Sequence, residues 1–249
     1  MVTVLIAVDD GDRSLGKAGS EIDPRLMALQ KAIAADPVTS TGDTVTCLAA
    51  SQVGHAWPGM DPSDPDATVL CPLTLDIAAD LEFPGQSIYA RCRDVAGLRR
   101  WVADTWGYST GTGTIQVPIV WTARGPLYAE AIAPVHEIDI HGSNRSGMPY
   151  LQPLHLSDRQ RQSLYRLGGN LLRSLSAPPA VYMLQVAILA DDLLFDRLWP
   201  FPTEAAIASV GCQTPDLLTA HWRSLTQRSV LDVAIATPVT YGVLKATSV

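Results

Sequence analysis

Apolar residues in the first half of the chain come in short runs broken by one or two amphipathic stretches. Val2 to Val8 is nearly continuous in apolar residues, as expected of a strand buried on both faces. Asp23-Pro24 then places an N-cap residue before a first-turn proline, and Leu26, Leu29 and Ile33 follow at helical spacing. Thr44 to Ala50 and Ala67 to Leu73 predict two more strands. Between them, residues 55–66 are rich in proline, aspartate and glycine, which predicts an irregular loop. Gln86 to Cys92 predicts a further strand. Asp94 is placed to cap a helix that carries Val95, Leu98, Trp101, Val102 and Trp106 on one stripe.

The second half has a different rhythm. Thr114 to Trp121 and Leu127 to Pro134 read as two strands joined by Thr122-Ala-Arg-Gly125, a hairpin signal. A polar stretch, His136 to Pro149, follows. Ser157 and Gln160 then form a capping box, and Leu164, Leu167, Leu171, Leu172 and Leu175 make an i, i+3/i+4 stripe that stops before Pro178-Pro179. Val181 to Leu189 and Leu193 to Leu198, joined through Ala190-Asp-Asp192, predict a second hairpin. Thr214-Pro215-Asp216 opens a last amphipathic helix with Leu217, Leu218, Trp222 and Leu225 on one face. The order of antiparallel sheet, long helix, sheet and helix is an α+β layout. It follows a short α/β segment, which divides the chain into residues 1–106 and 107–249.

Composition narrows the classes. The 249 residues are 47% hydrophobic and 17% charged, enough to build a sizeable core and too apolar for wholesale disorder. With 18 basic and 25 acidic side chains the formal charge is −7, which argues against nucleic acid or an anionic membrane as the main partner. Val2 to Val8 is too short for a signal-peptide core or a membrane span, so the expectation is a soluble, cytoplasmic protein. Cys47, Cys71, Cys92 and Cys212 are widely spaced and form no CxxC pair, so neither zinc nor a disulfide framework is indicated. Only Lys17, Lys31 and Lys245 are lysines.

Three stretches, in this order and spacing, carry a family resemblance. Gly125-Pro-Leu-Tyr-Ala-Glu-Ala-Ile-Ala-Pro134 leads to Leu151-Gln-Pro-Leu-His-Leu-Ser157 and the long helix. Leu194-Phe-Asp-Arg-Leu-Trp-Pro-Phe-Pro202 is similar to a family strand that ends in Pro-Arg-Pro. Gln213-Thr-Pro-Asp-Leu-Leu-Thr-Ala-His-Trp-Arg-Ser-Leu225 is similar to a closing helix with a His-x-Arg pair. Together, over roughly residues 112–232, they resemble the C-terminal part of the purine-pathway ATP-grasp ligases, of the formate-dependent transformylase and carboxyaminoimidazole ribonucleotide synthetase type. The resemblance implies an ATP-grasp-like C-terminal part of antiparallel sheets with a long packed helix. It also implies homodimers, since the related ligases commonly pair.

The family uses ATP to activate a carboxylate, with lysines on the phosphates and acidic or amide ligands on Mg²⁺. Such catalysis is mostly charge neutralisation and positioning, and Mg²⁺ wants hard oxygen ligands. Aligned by the resemblance, an early family glutamate falls at or beside Thr114. The glutamate after the long helix falls at Gln185, the one before Pro-Arg-Pro at Arg197, and the motif's arginine at Phe201. A guanidinium repels a metal ion, and no lysine lies between Lys31 and Lys245. The normal catalytic set is therefore missing. Gly107-Tyr-Ser-Thr-Gly-Thr-Gly113 could cradle phosphate through backbone N–H groups, or serve as a linker between helix and strand. Upstream, too few residues remain for a full nucleotide-binding subdomain behind a complete leading Rossmann-like domain.

Other constellations carry chemistry of their own. On an extended segment, Glu137, Asp139 and His141 share one face, where they could hold a divalent metal with His155 or Asn144 completing the site. Alternation also explains that face as the solvated side of a half-buried strand. His221 lies near the apolar face of the last helix and reads as a core histidine. Cys212, just before a helix start, reads as a small packed residue or an activated thiolate. Arg145 could face an anion in the cleft. Trp57 sits in a Pro/Asp-rich loop and reads either as an interface residue or as tucked back on the body. No residue is assigned to catalysis or to cofactor binding. The expected protein is non-catalytic and binds an unidentified protein or small-molecule partner. The alternatives are a metal-dependent enzyme at Glu137, Asp139 and His141, or a divergent ATP-dependent carboxylate–amine ligase with arginines on the phosphates.

Overall fold

The computed structural model describes residues 2–10, 23–40, 42–59, 68–135, 150–189 and 192–236. Two sheets organise them. A three-stranded parallel sheet runs in the order β2 (Thr44–Ala49), β1 (Thr3–Val8), β3 (Thr68–Pro72), with helix α1 (Pro24–Ala35) between β1 and β2 in the chain. Asp23 caps α1, its side chain accepting from the Arg25 amide, and Pro24 occupies the first turn. After β2 comes the single turn α2 (Val53–Ala56).

The larger, seven-stranded sheet is ordered β4 (Ser109–Thr110), β10 (Asp192–Trp199), β9 (Ala180–Leu189), β5 (Ile115–Thr122), β7 (Ala131–Pro134), β8 (Tyr150–Leu154), and β6 (Gly125–Tyr128) also pairs with β5. The first expected hairpin thus forms, but its second arm is broken into β6 and β7 at Ala129 and Glu130. The second hairpin forms as β9 and β10. Alternation along β9 sends Val181 and Met183 into one core and Tyr182, Leu184 and Val186 into another.

Helix α5 (Asp158–Ser174) carries the full Ser157/Gln160 capping box and buries Leu164, Leu167, Leu171 and Leu172. With α4 (Val95–Trp106), capped by the Asp94 side chain accepting from the Gly97 amide, it covers one face of the sheet. The other face packs on α6 (Leu217–Leu225), which in turn meets α1, and these share one core with the parallel sheet. The two-residue strands β11 (Gln213–Thr214) and β12 (Ala234–Ile235) pair beside it.

One element differs from expectation. Residues Gln86–Arg93 form helix α3, not a strand. Its buried residues are Ile88, Tyr89 and Cys92, a helical spacing, and Gly85 opens it with φ 93°, a left-handed conformation that glycine supplies without strain. Over seven residues the same apolar positions fit a strand equally well. Glu137, Asp139, His141, Asn144 and Arg145 lie outside the described residues. Among the described residues no helix is long and apolar enough to cross a membrane.

Candidate functional site

The positions that the resemblance assigns to metal ligands meet at the seam between β9 and β10. Arg197 stands opposite Gln185 in the antiparallel register, and a bulge separates Phe195 from Arg197. The bulge turns the intervening Asp196 inward, leaving it 1% exposed.

Asp196 gathers donors from three elements. Its carboxylate accepts from the Gly113 amide at 2.9 Å and from Gln185 Nε2 at 2.9 Å. Arg99 of α4 donates Nη2 to the same carboxylate and Nε to the Asp196 carbonyl oxygen. Arg197 Nε lies 3.4 Å from Oδ1, the oxygen that Arg99 also holds, while Gly113 and Gln185 share Oδ2. Burial alone would raise this carboxyl. The Gly113 amide, the Arg99 hydrogen bond and charge, and the Arg197 charge outweigh it and hold the group below the usual carboxylate range.

Gln185 is equally committed. Its Nε2 also donates to the Gly113 carbonyl at 2.7 Å, and its Oε1 accepts from Trp199 Nε1 at 2.8 Å. The Arg197 guanidinium lies 5.2 Å from the Trp199 ring centroid, a cation–π distance. One carboxylate therefore faces two guanidinium groups, and the amide that could replace a glutamate has its oxygen and nitrogen spent inside the protein. Phe201, where the family motif has arginine, is 2% exposed in the core, between Tyr89 and Trp199, with Arg25 stacked 5.7 Å from its ring.

The glycine-rich stretch belongs to the same seam and serves as a linker. Gly111 N–H donates to the Phe195 carbonyl and Gly113 N–H to Asp196, so neither is available to a phosphate. Ser109 and Thr110 pair with Leu194 and Phe195 as the edge strand β4. A Cβ on Gly113 would lie 2.1 Å from the backbone of Val186, so only glycine permits this approach.

The His-x-Arg pair of the last helix is likewise structural. His221 Nδ1 accepts from the Val181 amide at 3.1 Å, and burial pushes its imidazole down to about 3. Arg223 grips Asp36 with two bonds of 2.9 and 2.7 Å. Cys212 is buried at 3% exposure. Trp57 is tucked back, donating Nε1 to the Glu82 carbonyl. His155 is exposed, and among the described residues no three His, Cys, Asp or Glu side chains converge as metal ligands do. Asp196 and Arg99 escaped the sequence reading. The available signal was an Asp-Arg pair inside an otherwise apolar strand.

The described seam does not fit Mg·ATP. Its one carboxylate is enclosed by its own donors, a guanidinium stands where the resemblance expects a ligand, and the Gly111 and Gly113 amides are bonded internally.

No family model matches the chain, and no curated protein matches it in sequence. Solved structures do match its fold. Glycinamide-RNase-transformylase T from Mycobacterium tuberculosis superposes with a TM-score of 0.66 at 14% identity, covering 94% of this chain and 81% of that one. The N5-carboxyaminoimidazole synthetase from Staphylococcus aureus, complexed with ADP, gives 0.63 at 9% identity over 94% and 79% of the two chains. The N5-carboxyaminoimidazole ribonucleotide synthetase from Thermus thermophilus gives 0.63 at 10% identity over 94% and 81%. The likeness thus runs well beyond residues 112–232, where the sequence resemblance lay. At such identities it speaks for the fold, and the fold of this chain is that of the ATP-grasp ligases.

Proposed function

We propose that this protein keeps the ATP-grasp fold without the family's ATP chemistry and works by binding a protein or small-molecule partner. The observation that carries the reading is the closed network around Asp196. Gln185 and Arg197 stand where the resemblance expects glutamates, and both are engaged with Asp196 or Trp199. Phosphoryl transfer needs cations and metal ligands aimed at open space. Here they are aimed at each other. The same reading takes 107–249 as the ATP-grasp-like unit and 1–106 as an abbreviated α/β segment before it.

Isothermal titration of the protein with ATP in excess Mg²⁺ tests this. The expected trace shows no saturable heat. A clear micromolar isotherm overturns the reading and favours a divergent ligase with arginines on the phosphates. Metal analysis of the same preparation reads the rival: bound Mn²⁺ or Zn²⁺ that Asp139→Ala removes would favour a metal-dependent enzyme at Glu137, Asp139 and His141.

A further inference from the structure

Charge is unevenly spread over the fold. Helices α3, α4 and α5, which share one core on one face of the larger sheet, carry eight arginines, no lysine, and only Asp104 and Asp158 as acids. That is a surplus of six positive charges in a chain whose net charge is −7, so the remainder of the chain is strongly acidic. Such a separation gives one face a positive field that the net charge conceals.

Some of these arginines are spent inside the fold, Arg99 on Asp196 and Arg93 on the Leu75 and Ile77 carbonyls. Others point outward. Arg91, Arg100, Arg166 and Arg173 are exposed and form no ion pair among the described residues. Arg166, Asn170 and Arg173 follow one another at i, i+4 and i+7 on the stripe of α5 that turns away from its buried leucines. Arg166 and Arg173 are thus about 10 Å apart along the helix axis, and Arg173 donates only to Asn170, at 3.3 Å.

Half-buried aromatic rings lie among these charges. The Arg91 guanidinium stands 5.9 Å from the Trp101 ring centroid, and Trp101 meets Trp106 at 5.1 Å. Tyr108, just past α4, donates its hydroxyl to the Ser163 carbonyl at 3.3 Å and so joins this row to α5.

We propose that this face docks an acidic segment of a partner protein, with its Asp and Glu carboxylates on Arg91, Arg100, Arg166 and Arg173 and an apolar side chain against Trp101 and Trp106. Arginine with tryptophan and tyrosine, and without lysine, is the composition of protein interfaces. The guanidinium fork also matches a carboxylate bidentately. A long nucleic acid or an anionic bilayer would reach past the patch onto the acidic remainder and be repelled there, whereas a short acidic segment would not. The proposal rests on the reading that the protein works by binding a partner, and it supplies that partner's chemistry.

Fluorescence anisotropy on the full chain tests it, with a short fluorescein-labelled peptide of repeated Glu-Glu-Leu and its Lys-Lys-Leu counterpart. The acidic peptide is expected to saturate with a Kd on the order of 100 μM, and the basic one to show no binding. Arg166→Gln combined with Arg173→Gln should weaken the acidic peptide about tenfold, the scale of two partly exposed ion pairs. Arg124→Gln, in the β5–β6 turn outside these helices, should leave its affinity unchanged. No binding of the acidic peptide up to about 1 mM, or unchanged affinity in the double variant, overturns the proposal. So does single-stranded oligo-dT or a phosphatidylserine vesicle that binds as tightly as the peptide, which would assign the face to a polyanion or a membrane. Failure of the peptide overturns the docking face alone, whereas an ATP isotherm overturns the loss of ATP chemistry, so the two results are read apart.

Discussion

At the scale of single residues, Asp196 holds the seam together because its one carboxylate is shared by the Gly113 amide, Gln185 and Arg99. Removing it in Asp196→Ala strands the Arg99 guanidinium and the Gly113 amide beside a buried void. The expected cost is about 3–5 kcal/mol, read as a lowered urea midpoint. Asp196→Asn keeps the shape and one acceptor oxygen, so it should cost less than the alanine variant. If Asp196→Ala unfolds at the wild-type midpoint, the network is ornamental. Sequence could place Gln185 and Arg197 at the seam, since both stand where motif residues stand. It could not place Asp196, because simple alternation does not register a bulge; only the pairing of β10 with β9 shows that two residues crowd against one.

Elements were legible wherever local chemistry decided them. The capping box of α5 and the Asp-Pro start of α1 stand as expected, because caps act within a few residues of themselves. Helix α3 misled the reading because its apolar positions over seven residues fit two periods. Contacts between distant elements left no trace in the local pattern. Helix α6 is tied to the end of α1 by Arg223 and Asp36, 187 residues apart, with the Asp36 side chain wholly buried. Burial would raise the Asp36 carboxyl, but the Arg223 hydrogen bond, the Val38 amide and the Arg223 and Arg228 charges hold it low. A double-mutant cycle of Arg223→Ala and Asp36→Ala should therefore give a coupling of about 2 kcal/mol. Additive single effects would show that packing, not the ion pair, joins the two helices.

For the molecule as a whole, the buried histidine and the paired aspartates bias stability against acid. His221 is neutral in the fold, its pKa pushed down to about 3 by burial from an ordinary 6.5. The unfolded chain therefore binds a proton at this site between those values that the folded chain refuses. Stability from this group is complete above about pH 6.5 and falls as pH drops toward 3, by up to about 1.4 kcal/mol per unit. Asp36, Asp43 and Asp196, all held low, add losses of the same sign below about pH 4. Thermal melting should be flat near neutrality and decline from pH 6.5 downward. His221→Asn, which can still accept from Val181, should flatten the part of that decline above pH 4.5; an unaltered profile would assign the acid sensitivity elsewhere. The arginine face was invisible in the sequence because it runs from Arg91 to Arg173, and no window spans that distance. The same long reach governs time. β1 and α1 leave the ribosome early, yet the α6 residues that close their core, Leu217 to Trp222, are made some 180 positions later. At ordinary rates of synthesis, the apolar face of α1 therefore waits roughly 10 to 40 s for its cover, and a nascent chain stalled before α6 is a target for chaperones.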